Sequence, residues 1–147
     1  MTVPRFIEMW IIKTIILLAL LLYASVRDIK TGEVPDSVSV MLLILGLVDV
    51  SIKEIPQMLL GALLVFLPQF VSALINPSKA LGGADIKVSS SAAFLLGMPN
   101  GLFALVVGLT LSVVTMPIIR KIRKIPKDQP FPLIPFLSVG IVAGYFI

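Results

Sequence analysis

Six apolar runs, each closed by charged or turn-forming residues, constrain this chain more than any other feature. They cover residues 10–26, 37–50, 57–75, 86–98, 102–119 and 133–147. A stretch of ~20 apolar residues is long enough to cross a bilayer as a helix. Lipid offers no hydrogen bonds, so the backbone of such a run must satisfy itself, and a helix does that. The composition agrees: 58% of the residues are apolar and 14% are charged, where soluble domains run nearer ~45–50% and ~25%. The 147 residues are read as one integral-membrane domain over 1–147. The expected architecture is an all-α, polytopic transmembrane helix bundle of about six spans.

Local signals mark where the runs begin and end. Trp10 suits an interfacial anchor, and Lys13 is expected to snorkel to the nearer surface. A cleaved leader ending near Ala24-Ser25 is the alternative, and the later spans make one unnecessary. Run one closes in Arg27, Asp28 and Lys30, and Pro35 bars helix continuation. Asp36 or Ser37 is placed to cap run two. Pro56 is placed to open run three, in which Pro68 predicts a kink. Ser89-Ser90-Ser91 and Ala92-Ala93 in run four are small enough for close helix approach.

Charge placement sets the expected topology. The segments after runs one, three and five carry Arg27, Lys30, Lys79, Lys87, Arg120, Lys121, Arg123, Lys124 and Lys127; the opposite side carries Arg5, Lys13 and Lys53. Lys and Arg are retained in the cytoplasm. Both termini are therefore expected outside, and the ends bearing Asp28 and Asp85 inside. This distribution accounts for the net charge of +4 without a nucleic-acid partner. The basic segment after run five reads as a topology anchor, with anionic headgroups as the other reading.

The chain has no cysteine and no histidine. Thiol chemistry, Ser-His-Asp triads and histidine zinc sites are excluded. No metal or other cofactor is implied, and acid–base work falls to carboxylates. Ionisable residues at membrane depth are costly and mark function by default. Asp85 stands in Leu81-Gly82-Gly83-Ala84-Asp85-Ile86-Lys87. Asp28 stands in Arg27-Asp28-Ile29-Lys30-Thr31-Gly32-Glu33-Val34-Pro35-Asp36. Two such carboxylates sharing a proton suffice for an aspartic-protease mechanism. Gly82 and Gly83 would let a substrate backbone come close. Each residue also has a plainer reading. Asp85 suits an N-cap, Asp28 a solvated juxtamembrane charge, and Asp36 a helix cap. Lys87 suits a snorkelling anchor or the partner of an aspartate. Pro132 and Pro135 suit the shaping of helix six.

Together these motifs resemble the type IV prepilin peptidase family, including the archaeal preflagellin peptidases. These are membrane aspartic peptidases with a GxGD motif. The resemblance rests on Asp28 followed by Val34-Pro35-Asp36, on Gly82-Gly83-Ala84-Asp85-Ile86-Lys87, and on Pro132-Leu133-Ile134-Pro135-Phe136 with Gly140. It covers roughly residues 10–147. It implies a catalytic pair of Asp28 and Asp85, with Gly82, Gly83, Ala84, Lys87, Pro35 and Asp36 shaping the motif. The implied partners are membrane-anchored precursors with a type IV pilin-like signal peptide, cut on the cytoplasmic side, with Glu33 placed to meet the basic leader. Larger members carry a cysteine-rich domain and methylate the new N-terminus, so a chain without cysteine is expected to lack that activity. Ala84 stands where the motif has glycine. If that position needs a positive φ, alanine there is strained, and the chain is a silent assembly scaffold. A proton- or cation-coupled transporter using the same aspartates is the other alternative. A presenilin-type protease is disfavoured because no Tyr-Asp pair occurs.

Overall fold

A computed structural model describes residues 4–78 and 82–147. Lys79 of the charge count and Leu81 of the glycine motif lie outside the described residues. The elements, in order, are α1 (Arg5–Thr31), α2 (Asp36–Leu47), α3 (Ile55–Ile75), α4 (Gly83–Leu96), α5 (Asn100–Arg123) and α6 (Ile134–Phe146). The described residues contain no strand. Helices α1, α3 and α5 are long and apolar enough to cross a membrane. Helices α2 and α6 are apolar but shorter, and α4 has 14 residues. The protein is a helical membrane bundle. Its outer faces carry exposed Ile15, Leu22, Leu74 and Val113, a surface that suits lipid and would aggregate in water.

Run four, the least apolar of the candidate spans, forms the centre of this bundle. Helix α4 packs against α2, α3, α5 and α6, and eight of its 14 residues are buried. Small residues permit this. A side chain at Gly61 of α3 would meet the Ala93 carbonyl oxygen at 3.0 Å, and one at Gly101 of α5 would meet Ala93 Cα at 2.8 Å. The same device joins α5 to α6, where Gly140 and Gly144 lie on one face. A Cβ at Gly140 would run into the Ala104 carbonyl and approach Gly108 N to 2.8 Å. Backbones this close gain dispersion contacts that larger residues would prevent.

The helix limits differ from the sequence expectation in ways that bear on function. Run one was expected to close near Val26, but α1 continues to Thr31. Gly32 stops it, adopting φ 68° while its N–H bonds the Asp28 carbonyl at 2.9 Å. Asp28 is thus inside the last turn of α1 rather than in a loop after it. Pro35 begins α2 instead of ending α1, and neither Asp36 nor Ser37 caps α2 through its side chain. Helix α4 starts at Gly83, so the motif is helical from Gly83 onward, with Gly82 extended at the N-cap. The only non-glycine residues with positive φ among those described are Asp49 and Lys124. Ala84 is therefore unstrained, and the reason for a disabled motif disappears. Pro68 lies inside a continuous α3, and Pro117 inside α5.

The far end of the bundle closes through α1 and α6. Trp10 stacks on Tyr145 with ring centroids 6.3 Å apart, and Thr14 Oγ1 shares a hydrogen bond with the Tyr145 hydroxyl at 3.1 Å. Lys13 Nζ donates to the Val48 carbonyl beyond α2 at 3.2 Å. That bond ties Lys13 to the C-terminal end of α2, where a helix favours a cation.

Candidate active site

The C-terminus of α1 and the N-terminus of α6 meet at Asp28, and the N-terminus of α4 brings Asp85 within reach of its charge. The Asp28 carboxylate is buried, the residue being only 8% exposed. Its Oδ2 accepts the Ile134 N–H at 3.0 Å. Ile134 is the first residue of α6, so this N–H has no partner within its own helix. The bond orients the carboxylate and sets the positive end of the α6 dipole beside it. This donor was missed from sequence. The only signal was the Pro132-Leu133-Ile134-Pro135 start, read as shaping helix six.

Asp85 occupies the third position of α4, with Gly82 at the N-cap. It is not the N-cap residue itself, which corrects the plainer reading. Gly82 leaves room for the Asp85 carboxylate: a Cβ there would stand 3.2 Å from Asp85 Oδ2, close enough to press on it. Among the described residues, nothing lies within 4 Å of a Cβ built on Gly83. Burial pushes the Asp85 carboxyl up to about 6, the negative charge of Asp28 pushes in the same direction, and the Gly82 N–H opposes them. The two aspartates, from separate helices, are close enough to feel each other.

The remaining sequence candidates are arranged around this pair. Lys87 Nζ bonds Asp36 Oδ1 at 2.8 Å, with both side chains exposed. Lys87 thus engages Asp36 rather than Asp28 or Asp85, and Asp36 bridges α2 to α4 rather than capping α2. Ala84 packs against the apolar core. Pro35 is the N-cap of α2. Val34, just before it, is buried in the same core.

A buried polar pair lies one helical turn below Asp85. Gln69 Nε2 bonds the Val65 carbonyl at 2.7 Å and Ser89 Oγ at 3.1 Å, joining α3 to α4. Gln69 was legible in principle as the one amide in the interior of run three, Gln57 standing at its start. Two open grooves flank the bundle. One, of about 540 Å³, runs between α2, α3 and α4 beneath Asp36 and Lys87. The other, of about 490 Å³, runs between α1 and α6, where Ser25 and Ser138 share a hydrogen bond at 3.0 Å. Neither groove is lined by Asp28 or Asp85. Among the described residues, no three His, Cys, Asp or Glu side chains are grouped to hold a metal ion.

Comparison with known proteins bears on what this geometry serves. The profile of the type IV leader peptidase family matches residues 15–118, more than half the chain and including both aspartates. A prepilin leader peptidase/N-methyltransferase of Pectobacterium carotovorum subsp. carotovorum is 33% identical over 140 residues, covering 88% of this chain and 49% of that protein. The chain thus spans about half the length of this curated relative. No solved structure matches.

Proposed function

Because the chain belongs to the type IV leader peptidase family, we propose that it is a membrane aspartic endopeptidase, with Asp28 and Asp85 as its catalytic pair. The observation that carries this reading is the approach of a buried carboxylate, Asp28, and a partly buried one, Asp85, at one end of the bundle, where the charge of Asp28 acts on Asp85. Two carboxylates so placed share one proton, because the second charge is costly beside the first. Asp28, oriented by the Ile134 N–H, is fitted to take a proton from the attacking water. Asp85 is fitted to hold the shared proton. The water oxygen adds to the peptide carbonyl as its proton passes to Asp28. The Asp85 proton stabilises the oxyanion and, as the tetrahedral intermediate collapses, a proton reaches the leaving amine. The products are a carboxylic acid and a new N-terminus. The pair titrates as a unit, so these roles describe the starting proton distribution.

The proposed substrates are precursors with a pilin-like leader followed by an apolar membrane helix, cut at the cytoplasmic edge of that helix. The relative's printed name supports the class of substrate. The charge count supports the side: Arg27, Lys30, Lys87 and Arg120 through Lys127 belong to segments at the end that holds the two aspartates. The N-methyltransferase in that name is said of the relative, and the proposal for this chain is limited to hydrolysis. The silent-scaffold alternative loses its basis with the unstrained, helical Ala84.

The test is cleavage of a prepilin-type precursor by the protein reconstituted in lipid vesicles, with the product's N-terminus sequenced. A single cut at the junction of basic leader and apolar helix is expected. Absence of cleavage across several such precursors would contradict the proposal.

A further inference from the structure

The α5–α6 connection is held in an unusual way. Arg120, in the last turn of α5, turns its guanidinium back onto the chain that follows. Its Nη1 donates to the Lys127 carbonyl at 2.8 Å and to the Pro126 carbonyl at 3.4 Å, and its Nη2 donates to the Gln129 carbonyl at 3.0 Å. The Arg120 carbonyl accepts the Ile125 N–H at 3.1 Å. Three backbone carbonyls across the loop are thus held by one side chain, and a fourth backbone group by the Arg120 main chain. The planar fork of arginine can do this, whereas the single ammonium of lysine cannot.

The clasp continues toward the aspartates. The Arg120 guanidinium lies over the Phe131 ring, 5.8 Å from its centroid. Phe131 stacks on Phe136 of α6, also at 5.8 Å. Between the two rings the chain reads Phe131-Pro132-Leu133-Ile134-Pro135-Phe136, in which Pro132 and Pro135 restrict the backbone. The N–H that holds Asp28 belongs to Ile134, between the two stacked rings. The position of that donor is therefore set by α6 on one side and by the clasped loop on the other.

We propose that Arg120 is a positioning residue for Asp28: it clasps the α5–α6 loop and, through the Phe131–Phe136 stack, fixes the Ile134 N–H that orients the carboxylate. This rests on the peptidase reading for its kinetic consequence but not for its structural one. It differs from the topology-anchor reading of the basic segment, in which only the positive charge of Arg120 matters. In this assignment Lys121, Arg123, Lys124 and Lys127 supply charge at the membrane edge, while Arg120 supplies geometry.

The experiment compares Arg120→Lys, Arg120→Met, Phe131→Tyr, Phe131→Leu and Lys121→Met in vesicles, with two readouts. The first is hydrogen exchange of the backbone amides of residues 131–137, which needs no substrate. The second is precursor cleavage at equal amounts of folded protein, with kcat and KM separated. Misplacing a catalytic group by ~1 Å costs on the order of 100-fold in rate, so a loosened donor is expected to lower kcat by roughly 10- to 100-fold. Arg120→Lys, Arg120→Met and Phe131→Leu should all speed exchange at Ile134 and lower kcat, with KM within about twofold of wild type on the same argument. Phe131→Tyr retains the stack and should retain kcat, as should Lys121→Met. Wild-type exchange and kcat in Arg120→Lys would overturn the proposal, because charge alone would then suffice. Faster exchange with unchanged kcat would also overturn it, because the loop would then be structural only. Failure of the wild type to cleave contradicts the peptidase reading instead, and the exchange data still test the clasp.

Discussion

Asp85 carries the most direct electrostatic prediction at the residue scale. Its carboxyl is pushed up to about 6 by burial first and by the charge of Asp28 second. An aspartate ordinarily titrates near ~3.9, so at mildly acidic pH Asp85 still holds a proton that an exposed aspartate has lost. The sign follows. If Asp85 supplies the proton during cleavage, activity should fall as pH rises through about 6. In Asp28→Asn the negative neighbour is gone, and the Asp85 midpoint should move down toward the ordinary value. Carboxyl-carbon NMR of selectively labelled protein checks this, and an unmoved midpoint would mean that the two groups do not interact. Ala84 gives a second test. It sits in the first turn of a helix with no positive φ, so Ala84→Gly should bring no gain in cleavage. A loss of up to ~1 kcal/mol in stability is expected, from the poorer helix propensity of glycine. The sequence alone left the reverse open, because a motif named for its glycine invites the thought of an unusual backbone there.

Helix contacts explain what was legible in the chain and what was not. The six runs and the turns between them follow from hydropathy, and the proposed pairing of Asp28 with Asp85 was suggested by the cost of buried charge. The helix ends follow from backbone geometry that hydropathy does not report. Helix α1 runs on past Asp28 until Gly32, in its left-handed conformation, stops it, so Asp28 lies inside the helix. The Ile134 N–H and the Arg120 clasp were illegible because each joins a side chain to backbone groups, and a sequence pattern shows which side chains exist but not which amides face them. The α5–α6 contact was likewise visible only as scattered glycines. Gly140→Val should destabilise the bundle, since a Cβ there meets the Ala104 carbonyl and the Gly108 backbone. Overpacking of this kind costs ~1–3 kcal/mol or more, read as a lowered thermal midpoint in detergent. By contrast, the Lys87–Asp36 pair is exposed on both sides. Exposed ion pairs contribute roughly 0–1 kcal/mol, so Lys87→Met should leave the thermal midpoint and the cleavage rate close to wild type.

For the whole molecule, the small residues of α4 pack the bundle around a central helix, α6 gives its first N–H to a carboxylate on α1, and the charged segments are proposed to set the orientation. Orientation is directly accessible because the chain contains no cysteine. Lys121→Cys should be labelled by a membrane-impermeant thiol reagent from the cytoplasmic side only, and Lys53→Cys from the opposite side only. The central claim is that Asp28 and Asp85 act together on a peptide bond. It is tested most directly by measuring precursor cleavage by wild type, Asp28→Asn and Asp85→Asn at matched abundance in the membrane. The account predicts a shortened product from wild type and none from either variant. Full cleavage by either variant would contradict the paired mechanism, whatever the fate of the rest.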